Sequence, residues 1–202
     1  MLDQVNQVLK RVPTWVVYLL GTLPFLWLVF LTLTGGLGAD PVRGIEWGLG
    51  LWAVRLLLLT LTVSPLRSLG LNLQRFRRQI GLVAFAYVVL HFTSWLTIDM
   101  GLRWGQILGD LYKRWYILIG LSAFLLLIPL AITSNNGWIK RLGGKGWNQL
   151  HKLAYPATIL AIFHFLMVGK ITTTEQYTYA AILAGLLAWR LWKYGPRRMV
   201  LA

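Results

Sequence analysis

The chain has 202 residues, of which 57% are hydrophobic and 13% charged, with a mean hydropathy of +0.61. A soluble domain of this size needs far more surface charge, so the composition excludes one and implies an integral membrane protein, read as a single membrane domain over residues 1–202. The net charge of +14 reads as the basic bias of cytoplasmic loops and not as a nucleic-acid footprint, and the lack of cysteine removes disulfides, iron–sulfur clusters and thiol catalysis.

Six apolar runs are long enough to cross a bilayer, at residues 13–33, 48–63, 80–98, 116–132, 151–168 and 177–192. The first follows Lys10 and Arg11. It is too long for a signal-peptide core and has no small-residue cleavage pattern, so it is expected to be a retained span. No internal repeat is evident from the letters alone. With the N-terminus inside, the inner segments carry Lys10, Arg11, Arg67, Arg75, Arg77, Arg78, Lys140, Arg141, Lys145, Lys152, Lys193, Arg197 and Arg198. The outer segments carry only Arg43, Arg103, Lys113, Arg114 and Lys170, with five of the six acids. Thirteen basic residues against five orient the chain. Trp15, Trp47, Trp95, Trp115, Trp138, Trp147 and Trp192 fall near span ends, where indoles favour the headgroup zone. The expected fold is an all-α integral membrane protein, a six-transmembrane-helix bundle with both termini cytoplasmic.

Two of the three histidines bracket the segment HKLAYPATILAIFH, at 151 and 164. Thirteen helical residues rise about 20 Å, most of the way across a hydrocarbon layer about 30 Å thick. His91 lies late in the third run and His164 late in the fifth. Both runs have the same direction, so the two rings are expected at similar depth toward the outer face. His151 opens the fifth run at the inner face, and Arg78 precedes His91 by the same thirteen residues.

An ionisable side chain inside a span is costly and marks a functional candidate, although a neutral ring bonded to a carbonyl, Ser or Thr is the plainer reading. Two histidines at matched depth suit axial ligation of a haem iron, which needs one or two ligands. A zinc or di-iron site needs more, and no Cys, Asp or Glu stands near these positions in sequence. In a straight helix His151 and His164 fall about 140° apart around the axis, with Pro156 between them, so the spacing supports two depths and leaves the face open.

His151 is read either as an interfacial structural residue or as a ligand of an inner haem. Arg78 and Arg77 either approach that haem, at its second axial position or its propionates, or are ordinary inner-face anchors. Arg55, about 10 Å along the second run, either meets a cofactor carboxylate or snorkels to the headgroups. GGLGADP is read as a turn. RLGGKG is read as a basic turn, with contact to a flavin phosphate as the alternative.

The segments LPFLWLVF, GGLGADPV, LTVSPLR, RRQIGLVAFAYVVLHFTSW and AITSNNGWIKRLGGKGWNQLHKLAYPATILAIFHFLMVGK resemble, in that order, the MsrQ (formerly YedZ) family. These are haem-binding membrane subunits of the periplasmic methionine sulfoxide reductase system, within the ferric-reductase-like transmembrane group. The resemblance implies a bacterial inner-membrane subunit with one or two b-type haems, itself not the catalytic partner. It would pass electrons from the quinone pool or a flavin donor to the molybdopterin enzyme MsrP, and it implies an association with FMN. His91, His151 and His164 match the family's haem-associated histidines, while Arg78 stands where the broader group has a fourth histidine. Only about ten residues follow the sixth run, so no flavin–nicotinamide domain is expected on this chain. The alternatives are a stand-alone membrane ferric or quinone reductase and, from another class, a haem-free transporter or assembly factor whose histidines relay protons or bind substrate.

Overall fold

The computed structural model describes residues 2–169 and 171–199, apart from the side chains of 196–199. Lys170 and the side chains of Arg197 and Arg198, counted above for orientation, lie outside the described residues. Among the described residues all regular structure is helical. The chain divides into two compact units, residues 1–110 and 111–202.

The first unit opens with a short amphipathic helix, α1 (Leu2–Arg11), and the apolar α2 (Val16–Leu33). In α2 the side chains of Leu19, Leu20, Leu23, Leu26, Trp27, Phe30 and Leu33 all stand exposed, an arrangement that suits lipid and not water. The long α3 (Pro41–Ser68) starts where its pattern demands: Asp40 accepts a hydrogen bond from the Arg43 N–H at 3.0 Å, and Pro41 occupies the first turn, where a missing N–H costs nothing. A 3-10 turn (Gln74–Phe76) leads into α4 (Arg77–Ser94), which continues into a wider turn of π type (Trp95–Asp99).

The α3 and α4 helices form an antiparallel hairpin. Leu49, Ala53, Val83 and Tyr87 pack with Leu28 of α2, and Val63, Phe76 and Ile80 close the other end. Helix α2 lies close against this pair because glycines leave room for it. A Cβ on Gly21 would meet Val83 at 2.5 Å, and the Tyr87 hydroxyl donates to the Gly21 carbonyl at 2.7 Å. Helix α5 (Trp104–Lys113) runs across the boundary between the units.

The second unit contains α6 (Trp115–Ile132), α7 (Asn136–Leu150), a 3-10 turn (His151–Leu153), α8 (Ala154–Met167) and α9 (Thr174–Met199). Asn135 caps α7 by accepting from the Trp138 N–H at 3.1 Å, and α7 breaks at Gly143, whose φ of 68° suits glycine. Helices α6 and α8 pack together along their length, the counterpart in this unit of the α3–α4 hairpin.

Among the described residues five helical stretches are long and apolar enough to cross a membrane: Val16–Leu33, Pro41–Ser68, Gln74–Asp99, Trp115–Ile132 and Asn136–Met167. They contain the first five predicted runs apart from their frayed ends. The sixth, 177–192, lies within α9, which is not among the five. Its tyrosines, tryptophans and Arg190 dilute the hydropathy that a span requires. The segments 99–114 and 133–150, which fall between the predicted runs, contain α5 and α7, so RLGGKG, read above as a basic turn, lies within α7 and departs from helix at Gly143. Both helices have apolar residues at helical spacing among too many polar ones to cross a bilayer.

Candidate haem-ligand site

Each unit presents one histidine near the end of a helix, and each ring is held in the same way. His91 lies on α4, three residues before its last, and its Nδ1 is 3.0 Å from the Glu46 carbonyl oxygen on α3. His164 lies on α8, three residues before its last, and its Nδ1 is 2.7 Å from the Tyr116 carbonyl oxygen on α6. A carbonyl only accepts, so in both rings Nδ1 is the protonated nitrogen and Nε2 carries the lone pair. This is the tautomer a metal-ligating imidazole uses when its other nitrogen is fixed by the surrounding protein.

The reason the rings can reach these carbonyls is a glycine. Within a helix the carbonyl of residue i already accepts from the N–H of residue i+4, so a second donor must approach past the side chain at that position. Four residues after Glu46 comes Gly50, and four after Tyr116 comes Gly120. A Cβ on Gly50 would stand 3.2 Å from both Nδ1 and Cε1 of His91, and one on Gly120 would stand 2.8 Å from Nδ1 and 3.0 Å from Cε1 of His164. The letters show no repeat, yet the two units share one device of histidine, carbonyl and glycine. Sequence reasoning missed Glu46, Gly50, Tyr116 and Gly120. The signal for them was glycine within the helices: Gly120 is the single glycine of α6, but Gly50 is one of three in α3 and does not stand out.

His151 is held differently. It opens the 3-10 turn before α8, so it precedes the regular helix, and Pro156 falls in the first turn of α8, where it breaks no ladder bond. Its Nε2 lies 3.1 Å from Thr133 Oγ1, while that hydroxyl donates to the Pro129 carbonyl at 2.6 Å. The hydroxyl lies closer to the Pro129 carbonyl than to the ring, an arrangement that favours Nε2–H donating to Oγ1, whereas the other two histidines make their bond through Nδ1. Trp147 stacks on the ring at 3.8 Å and donates from Nε1 to the Thr133 carbonyl at 2.8 Å. Thirteen residues after Gly120 comes Thr133, and thirteen after Gly50 comes Val63, fully buried. The hydroxyl that holds His151 thus has an apolar counterpart in the first unit, at the end of the hairpin where Arg78 stands.

Arg77 and Arg78 begin α4 and are half-buried, as is Arg55 on α3. The Arg55 guanidinium lies over the Trp52 ring, 4.9 Å from its centroid, which shields the charge along α3.

One buried cation escaped the sequence reading. Arg190 on α9 is only 4% exposed. Its Nη1 donates to the Tyr155 hydroxyl at 2.6 Å, with the guanidinium 4.9 Å from that ring's centroid. An arginine within an apolar run was the available signal. Just beyond His164, the fully buried Gln176 donates from Nε2 to the carbonyls of Phe165 and Val168 and accepts from the Thr173 N–H at 2.7 Å. With the Gln176 N–H bonded back to Thr173 Oγ1, this is a capping box that also closes the end of α8.

The donor set fits a haem. In each unit an imidazole has its Nδ1 anchored to a carbonyl, the orientation and tautomer that suit ligation of a haem iron through Nε2. Among the described residues no group of three or more His, Cys, Asp or Glu side chains is placed to hold a metal ion.

Residues 47–162 match the family described as ferric reductase like transmembrane component. Proteins named "Protein-methionine-sulfoxide reductase heme-binding subunit MsrQ" from Brucella ovis, Brucella canis and Brucella suis are each 48% identical over 178 residues, covering 88% of this chain and 80% of the relative. No solved structure matches the chain.

Proposed function

Because the chain belongs to the MsrQ family of ferric-reductase-like transmembrane proteins, we propose that it is a haem b electron-transfer subunit of a protein-methionine-sulfoxide reductase system. In this reading it takes electrons from the quinone pool or a flavin donor, with FMN as a second cofactor. It passes them across the bacterial inner membrane to the periplasmic molybdopterin enzyme MsrP. Six helices cross the membrane, α9 among them, and both termini are cytoplasmic. The single observation that carries the haem assignment is the repeated histidine, carbonyl and glycine device at His91 and His164.

When bound, the haem iron supplies the one-electron couple. The chain's own residues bind and orient it. His91 and His164 are assigned as ligands of an outer haem through Nε2, with Glu46 and Tyr116 fixing the ring planes by their carbonyls. His151 serves an inner redox site, where Arg77 and Arg78 supply charge for propionates or a flavin phosphate. Arg55 is assigned to a cofactor carboxylate. His151 reaches an iron through Nε2 only by giving up Thr133, which supports treating its site as distinct from the outer one.

The test is a reduced-minus-oxidised visible spectrum of the purified protein and of His91→Ala, His164→Ala and His151→Ala. The expected result is b-type bands in the parent, lost from the outer centre in the first two variants and retained there in the third. A colourless parent protein overturns the haem reading in favour of a transporter or assembly factor. Copurification with a periplasmic molybdoenzyme separates the proposed role from that of a stand-alone reductase, and acid-released flavin fluorescence tests FMN.

A further inference from the structure

We infer that α1 is an in-plane anchor that binds the anionic phospholipid headgroup layer and, through Asn6 and Arg75, clamps the connection leading to Arg77 and Arg78. The inference rests on the membrane placement proposed above.

Helix α1 is strongly one-sided. At 100° per residue, Leu2, Val5, Val8 and Leu9 fall on one arc, and Asp3, Gln4, Gln7, Lys10 and Arg11 on the other. The protein covers only part of the apolar arc. Leu9, with Val12 just beyond the helix, packs on Val63, Phe76 and Ile80, at the ends of α3 and α4. Val8 on the flank remains 61% exposed and Val5 39%. The depth is set by those contacts, because Val63 and Phe76 lie at the margin of two spans. The chain from α1 to α2 is also turned, with Val12 N–H bonded to the Val8 carbonyl and Val16 N–H to the Pro13 carbonyl. The exposed valines therefore stand where a span ends, and the layer there is the lipid interface.

Charge selects the kind of lipid. Residues 1–12 and 64–79, the two segments that meet here, contain Lys10, Arg11, Arg67, Arg75, Arg77 and Arg78 against the single acid Asp3. Such a cluster beside an apolar flank suits anionic headgroups. The pins to the rest of the unit are specific. Asn6 donates to the Gly70 carbonyl at 2.7 Å and accepts from the Asn72 N–H at 2.9 Å, and Arg75 donates to the Leu9 carbonyl at 3.1 Å and to that of Lys10. Arg75 thus closes the C-terminal end of α1, where a cation also complements the helix dipole. It precedes Arg77 by two residues, so whatever holds α1 on the membrane also holds the start of α4.

The chain has no cysteine, which permits single-site spin labelling of the full-length protein at Val8→Cys and, on the opposite face, Gln7→Cys. Labelled protein is reconstituted in phosphatidylcholine vesicles with and without phosphatidylglycerol, and accessibility to oxygen and to a water-soluble nickel chelate is read by power-saturation EPR. With phosphatidylglycerol present, position 8 is expected to favour oxygen and position 7 the chelate. In phosphatidylcholine alone the preference at position 8 is expected to fall severalfold, and Lys10→Gln with Arg11→Gln removes the difference between the two lipids. Equal chelate access at positions 7 and 8, or protection of position 8 from both reagents as a protein partner would give, overturns the inference. Insensitivity to phosphatidylglycerol overturns its electrostatic part. Leu23→Cys on the exposed face of α2 is the separate control. Chelate access there contradicts the membrane placement itself, whereas oxygen access there with chelate access at position 8 contradicts only the role of α1.

Discussion

Gly120 lies directly beneath the ring of His164: a Cβ at that position would stand 2.8 Å from Nδ1, closer than real Cβ contacts come. The ring can rest on α6 and donate to the Tyr116 carbonyl only because nothing projects there. Gly120→Ala is therefore expected to displace the imidazole, at an overpacking cost of about 1–3 kcal/mol. In Gly50→Ala the added atom meets His91 at 3.2 Å, and the smaller clash is set against about 1 kcal/mol gained in helix propensity. Thermal melts in detergent should show Gly120→Ala clearly destabilised and Gly50→Ala close to the parent. EPR of the oxidised haem should shift more in the former.

Thr133 supplies the acceptor for His151, and valine has nearly its shape without its oxygen. Thr133→Val leaves the His151 N–H without this acceptor and is expected to cost about 1–3 kcal/mol. Thr133→Ser keeps the oxygen and is expected to restore most of the loss. Melting temperatures of the two variants, measured side by side, decide it. Equal melting temperatures for Val and the parent would show that the Thr133 hydroxyl does not hold the ring.

Gln176 satisfies two carbonyls at the end of α8 and the N–H at the start of α9 from a site with no solvent access. Gln176→Leu strands the Val168 carbonyl and the Thr173 N–H, at about 1–3 kcal/mol for each that finds no new partner, while the Phe165 carbonyl still accepts from the Val168 N–H. Gln176→Glu keeps the acceptor for Thr173 but cannot donate while ionised. Hydrogen exchange at residues 165–168 should rise in both variants, with a lower melting temperature in each.

Arg190 and Tyr155 join α9 to α8 through one hydrogen bond and one cation–π contact. A double-mutant cycle of Tyr155→Phe and Arg190→Met should give a coupling energy between about 0.5 and 3 kcal/mol, because the two side chains touch. Tyr155→Phe alone keeps the ring face and removes only the oxygen, so it should account for the smaller part of what the cycle loses. Additive effects in the melts would deny the pairing.

Much of the fold was legible from hydropathy, because a run long enough to cross a bilayer is a property of neighbouring residues. Five predicted spans correspond to helices that meet length and apolarity. The start of α3 at Asp40–Pro41 extends its run by chemistry visible in two letters. Helices α5 and α7 fell between the predicted runs because amphipathic segments are too polar to score as spans, although their apolar residues recur at helical spacing. Arg190 was passed over within the sixth run, where its charge was the one signal it gave.

By itself the sequence determined that this is a helical membrane protein and that His91, His151 and His164 are its candidate ligands, since composition, run length and rare ionisable residues are all local facts. Only the tertiary structure decided what each ring touches. Glu46 is 45 residues from His91, and Tyr116 is 48 from His164, so no local pattern joins them. It is the packing of α3 on α4 and of α6 on α8 that sets a carbonyl at each Nδ1, a glycine under each ring and the lone pair on Nε2. The same packing in the second unit gives His151 a threonine hydroxyl at Nε2 instead of a carbonyl at Nδ1, a distinction that three identical letters could not carry.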